Sequence, residues 1–142
     1  MRTAAVAVPL DSTGDLKTDG KVVWRYSKGT PYVPSPLLYE GRLYFSKANT
    51  QLLTVLDAKT GKPLLESERL PRVTSFYGSP VAAGGRLYFV GRDGTALVLS
   101  PGDKPEVLAT NKLDDSIDAS PAVVGKTLFL RGEKFLYAIE EK

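Results

Sequence analysis

Between Arg42 and Ser46 the residues alternate, with Leu43 and Phe45 on one face and Arg42, Tyr44 and Ser46 on the other. A period of two in aromatic and aliphatic residues predicts a β-strand, and no stretch sustains the i, i+3, i+4, i+7 spacing of a helix. This strand has companions. Pro36–Tyr39 is a short apolar run ended by Glu40-Gly41, Gln51–Leu56 reads as a third strand, and Leu64–Leu70 as a fourth. The group then recurs: Val81–Ala83, Arg86–Val90, Thr95–Leu99 and Glu106–Leu113 repeat all four parts. Ala122–Val124, Thr127–Arg131 and Phe135–Glu140 repeat the first three, while Ala4–Leu10 and Val22–Ser27 read as the last two strands of a preceding unit.

The recurrence has fixed punctuation. Ser35-Pro36 opens SPLLYEGRLYFSK, Ser79-Pro80 opens SPVAAGGRLYFVG and Ser120-Pro121 opens SPAVVGKTLFLRG, in steps of 44 and 41 residues. Each copy sets Leu43, Leu87 or Leu128 before an aromatic residue (Tyr44, Tyr88, Phe129) and then a large apolar one (Phe45, Phe89, Leu130). Proline has no amide hydrogen for a strand ladder, so each Ser-Pro marks where an innermost strand begins. A period in the low forties is that of a four-stranded propeller blade. The predicted fold is all-β, with β-propeller blades of four antiparallel strands. Residues 1–34 hold the last two strands of a blade and a connecting loop, 35–78 and 79–119 are full blades, and 120–142 is a blade lacking its outer strand. That inventory is about three and a quarter blades, against about four to eight in closed propellers. It reads as a partial propeller or as part of an oligomeric ring.

Composition changes this picture little. Hydrophobic residues make up 42% and charged residues 25%, while 13 Gly and 10 Pro provide many turns. The 19 basic and 16 acidic side chains are dispersed, without the Lys/Arg stripe of a nucleic-acid surface. The chain has neither Cys nor His, which removes disulfides, thiolate chemistry and the commonest general base. Met1–Leu10 is too short for a signal-peptide core or a membrane span. Either the protein is cytoplasmic or its targeting segment has been left out, and a start inside a blade favours the second. On that reading the parent protein is periplasmic or secreted.

Few residues carry candidate chemistry. Asp114, Ser116 and Asp118 have the 1, 3, 5 spacing of a calcium loop, but Ala119 stands where Gly is needed and Gly125 where Glu is needed. The segment reads as an acidic turn, and no metal site is expected. Gly41, Gly84, Gly85 and Gly125 recur in register as hairpin turns rather than as a phosphate loop. Tyr44, Tyr88 and Phe129 recur as packing residues.

Leu56-Asp57-Ala58-Lys59-Thr60-Gly61, at the turn from a third strand into a fourth, is similar to the LDAxTGxxxW signature of the pyrroloquinoline-quinone-type β-propeller repeat. Lys17-Thr18-Asp19-Gly20 followed by Trp24 keeps the glycine-to-Trp spacing. Leu65 replaces the Trp in the next blade, and Ser100-Pro101-Gly102-Asp103 is a degenerate third copy. The resemblance implies that Asp57, Thr60 and Gly61 fix a turn and that Trp24 docks between neighbouring blades. Quinoprotein dehydrogenases of this family hold their cofactor with calcium, a catalytic Asp, a stacked Trp and often a vicinal Cys pair, and none of that set is matched here. Assembly lipoproteins of the outer membrane use the same blades without the cofactor.

The expected function is therefore a non-catalytic scaffold or binding module without cofactor, acting through the loop face around the central channel. The alternative is a fragment of a pyrroloquinoline-quinone-dependent dehydrogenase whose active site lies mainly in missing blades. Loops between blades gather on one face, and function is commonly grafted there. Tyr32, Arg72, Tyr77 and Asp118 are the candidate binding residues, of the aromatic and charged types common at interface hot spots. Open strand edges predict self-association, and neither nucleic acid nor a membrane span is expected.

Overall fold

The computed structural model describes residues 3–15 and 20–140, so the Lys17-Thr18-Asp19 part of the first turn lies outside the described residues. Among the described residues thirteen strands form four antiparallel sheets. Blade 1 comprises β1 (Ala5–Ala7) and β2 (Trp24–Tyr26). Blade 2 comprises β3 (Leu37–Tyr39), β4 (Arg42–Ser46), β5 (Leu52–Asp57) and β6 (Pro63–Arg69). Blade 3 comprises β7 (Val81–Ala83), β8 (Arg86–Val90), β9 (Thr95–Leu99) and β10 (Val107–Lys112). Blade 4 comprises β11 (Ala122–Val124), β12 (Thr127–Arg131) and β13 (Leu136–Glu140). Within each blade the strands lie in chain order, joined by hairpins. The chain is an all-β protein of propeller-type blades.

The first two strands are shorter than their hydrophobic pattern predicts. β1 stops before Pro9, and β2 covers three of the six residues from Val22 to Ser27. β6 carries register shifts against β5, and there Ser67 takes φ 56° while its N–H donates to Thr54 Oγ1 at 3.2 Å.

The alternation within β4 does not separate a buried face from a wet one. Tyr44 and Phe45 are both fully buried, and Ser46 is 2% exposed. Stacked blades explain this, because the sheet of blade 2 has a neighbour on both faces. Phe45 meets Tyr26 of blade 1 edge to face, with centroids 6.0 Å apart. Tyr44 belongs instead to the cluster with Leu87, Phe89 and Leu99 of blade 3. In β8 the same division sends Leu87 and Phe89 toward blade 2, and Val90 toward Leu130 of blade 4.

The serines of the Ser-Pro pairs form a ladder from blade to blade. Ser35 N–H donates to Ser79 Oγ at 2.8 Å, and Ser79 N–H donates to Ser120 Oγ at 2.8 Å. Proline fixes the start of each first strand, and the hydroxyl before it takes the amide of the preceding blade. This joins β3, β7 and β11 along the side where the blades converge.

Candidate functional site

The connecting loops run over the hairpins at one end of the blades. Ser75 C=O accepts from Arg92 N–H at 3.0 Å and Ser116 C=O from Glu133 N–H at 2.9 Å, tying each loop to the blade it enters. Phe76 N–H donates to Asn49 O at 3.0 Å and Ile117 N–H to Arg92 O at 3.1 Å, tying it to the blade it leaves. Phe76 and Ile117 are buried beneath. A loop fixed at both ends holds its exposed side chains in place.

Those side chains meet at Arg92, on the turn between β8 and β9. Its guanidinium donates to both carboxylate oxygens of Asp118, Nε to Oδ1 at 2.6 Å and Nη2 to Oδ2 at 3.0 Å. Its Cζ lies 3.8 Å from the centroid of the Tyr77 ring. The fork and the flat face of arginine suit both contacts at once. The hydrogen bonds to Asp118 raise the Arg92 pKa further above its ordinary value. Both charged side chains remain accessible, at 40% for Arg92 and 49% for Asp118. Exposed pairs of this kind add little to stability. A polar recess of about 270 Å³ adjoins it, lined by Ser116, Asp118, Arg131, Gly132 and Glu133.

The structure thus brings Tyr77 and Asp118 together, through a residue that sequence reasoning missed. The cation of the cluster is Arg92, while Arg72 sits exposed at the turn after β6 with φ 59°. Tyr32 is 78% exposed in the first loop. Of the calcium-type residues, Asp118 is engaged by Arg92. The buried acid of that loop is Asp115, which accepts from the N–H groups of Lys134 and Phe135 and from the Tyr137 hydroxyl at 3.1–3.2 Å through Oδ2. Desolvation opposes its ionisation, but the Lys134 amide, the Tyr137 hydroxyl and the amides of Phe135 and Ser116 outweigh it and hold its pKa below the ordinary carboxylate value. A side chain at Gly132 would collide with this carboxylate.

At the blade 1–blade 2 contact, Trp24 is half-buried, and its Nε1 donates to Ala58 O at 2.9 Å. Gly61 has φ 69°, and a Cβ there would lie 2.5 Å from the Trp24 ring, so glycine serves both the turn and the approach. Asp57 Oδ1 accepts from the Thr60 N–H and hydroxyl, each at 2.7 Å, and these bonds lower its pKa. Tyr26 donates to Glu66 Oε1 at 3.0 Å, and burial together with that carboxylate pushes its pKa up to about 12.

A family model described as outer membrane protein assembly factor BamB matches residues 15–103. The chain belongs to this family. Its repeats are thus of the pyrroloquinoline-quinone type in the BamB-like form, and they span the Trp24 contact and blade 2 and reach the turn before β10. Among solved structures, BamB from Moraxella catarrhalis is similar at 14% identity and a TM-score of 0.49, over 84% of this chain and 49% of that one. The chain therefore spans about half the length of that protein. Among curated proteins, none matches. No helix among the described residues is long and apolar enough to cross a membrane.

Proposed function

We propose that this chain is a non-catalytic propeller scaffold that binds a protein partner through its loop face, centred on Tyr77, Arg92 and Asp118, with Tyr32 and Arg72 at its margin. The observation that carries this reading is the Tyr77–Arg92–Asp118 stack. It presents an aromatic ring, a cation and an anion on loops pinned to adjacent blades, so little order is lost on binding. The family's description as an assembly factor supports a protein partner rather than a substrate. The chain also self-associates through its open blades. Asp57, Thr60, Gly61 and Trp24 act as structural docking residues.

Photocrosslinking tests the binding face. A benzoylphenylalanine at Tyr77 should capture a discrete partner from the source cell, and one at Tyr39 on blade 2 should not. Arg92→Glu should abolish that capture without altering the circular dichroism spectrum. Equal capture from both positions overturns the assignment of the face. Stoichiometric retention of pyrroloquinoline quinone with calcium, read by visible absorption, overturns the non-catalytic reading.

A further inference from the structure

Each four-stranded blade ends in an outer strand, β6 in blade 2 and β10 in blade 3, with no strand beyond it among the described residues. An outer edge presents backbone groups that another chain can pair with, unless the strand is guarded. β6 is guarded. It contains Glu66, Glu68 and Arg69, and its pairing with β5 shifts register twice. At Ser67 φ is 56° and the N–H is spent on Thr54 Oγ1, so no regular row of free groups faces outward.

β10 lacks these guards. After one shift between Val107 and Ala109, residues Ala109–Lys112 pair without a break with Val98–Thr95. Leu113 N–H donates to Gly94 O at 3.0 Å, and by antiparallel alternation Ala109 and Asn111 also bond to β9. On the opposite side of β9, Gly91 N–H donates to Thr95 O at 2.8 Å, which assigns Thr95 and Leu97 to β8. Both patterns turn the N–H and C=O groups of Thr110 and Lys112 outward. Lys112 is the one charge in β10, and an edge lysine is a common guard. Here its ammonium is bent back, donating to Asp93 Oδ2 at 3.0 Å and Thr95 Oγ1 at 3.3 Å.

We infer that the outer edge of β10 takes an extended segment of a partner protein as a fifth strand of blade 3. An extended backbone offers donors and acceptors at the two-residue period of Thr110 and Lys112. Leu108-Ala109-Thr110-Asn111 carries no charge that could pair with another, so the segment that fits is uncharged and free of proline. A second copy of this chain does not suit the edge. Four regular residues are about 13 Å long, too short to bury the roughly 1,600 Å² typical between two folded bodies. This contact is separate from the loop face and does not rest on it.

A fluorescein-labelled heptapeptide of alternating Val and Thr is the probe, with binding read by anisotropy and amide exchange by NMR. Without peptide, the Thr110 and Lys112 amides should exchange fast while those of Ala109 and Asn111 are protected. The peptide should bind and slow exchange at Thr110 and Lys112. Thr110→Pro removes an outward N–H and no bond to β9, so it should weaken binding at least tenfold with the circular dichroism spectrum unchanged. A second test needs no variant of the chain. N-methylation of every second peptide residue leaves one bonding edge and should preserve binding, whereas N-methylation of every residue should abolish it. Binding that survives full N-methylation, or that leaves Thr110 unprotected, overturns the inference, as does no binding at about 1 millimolar protein. Protection of Thr110 that rises with protein concentration alone makes a second copy the occupant and overturns it as well.

Discussion

Two blade contacts in this molecule start from the same five residues and end differently. Gly41-Arg42-Leu43-Tyr44-Phe45 and Gly85-Arg86-Leu87-Tyr88-Phe89 occupy the same place in successive blades. Tyr44 is fully buried, its hydroxyl bonded to Gly102, within a cluster that includes Leu53, Val55, Phe76, Phe89 and Leu97. Tyr88 is half-buried on the wall of a groove. The strand side supplies the same groups in both cases, so the difference comes from the neighbour. Blade 3 offers a turn and a fourth strand to blade 2, and among the described residues blade 4 offers neither to blade 3. In a repeat fold the burial of a residue is decided by the next repeat as much as by its own.

The largest effect should separate the two contacts directly. Phe89→Ala should cost about 3–5 kcal/mol, the range for a buried aromatic residue, whereas Tyr88→Ala one position away should cost under about 1 kcal/mol. Urea unfolding of both variants checks this, and equal losses would break the contrast. Next in size is Trp24→Ala. Half-burial places it near the lower end of the Trp range, at about 3 kcal/mol. Gly61→Ala should weaken the same contact by forcing a methyl group into the indole, and combining the two changes should cost less than their sum.

A smaller effect distinguishes the hydroxyls. Tyr44→Phe removes the bonds to Gly102 and should cost about 1 kcal/mol, while Tyr88→Phe should leave stability unchanged. The smallest effect is the part of the pH dependence that Asp115 contributes at blade 4. The folded Asp115 pKa lies below its ordinary value, so the ionised carboxylate adds stability above about pH 4 that is lost as pH falls through the folded value. Thermal melts at pH 6 and pH 3 should show a larger drop for the wild type than for Asp115→Asn, sensed at Tyr137.

The fold was legible in the sequence because its signals are local and repeated. Ser-Pro pairs, two-residue alternation and turn glycines each act within a few residues, and the strands follow them. The burial pattern was less legible, since alternation reports two faces without saying that another sheet covers each one. Tyr77 and Asp118 stood out as aromatic and charged residues in loops. Arg92 did not, because Gly91-Arg92-Asp93-Gly94 reads as an ordinary hairpin turn and its partner Asp118 lies 26 positions away. Asp115 was hidden in the same way beside Asp114, since its burial depends on the hairpin that ends at Phe135.

The most direct test of a closed blade 2–3 contact and an open blade 3–4 contact is native-state hydrogen exchange of a dilute, monomeric sample. β8 and β9 amides should exchange slowest, opening only with global unfolding, while β13 amides exchange through a much smaller local opening. Protection of β13 equal to that of β9 in the monomer would contradict the account.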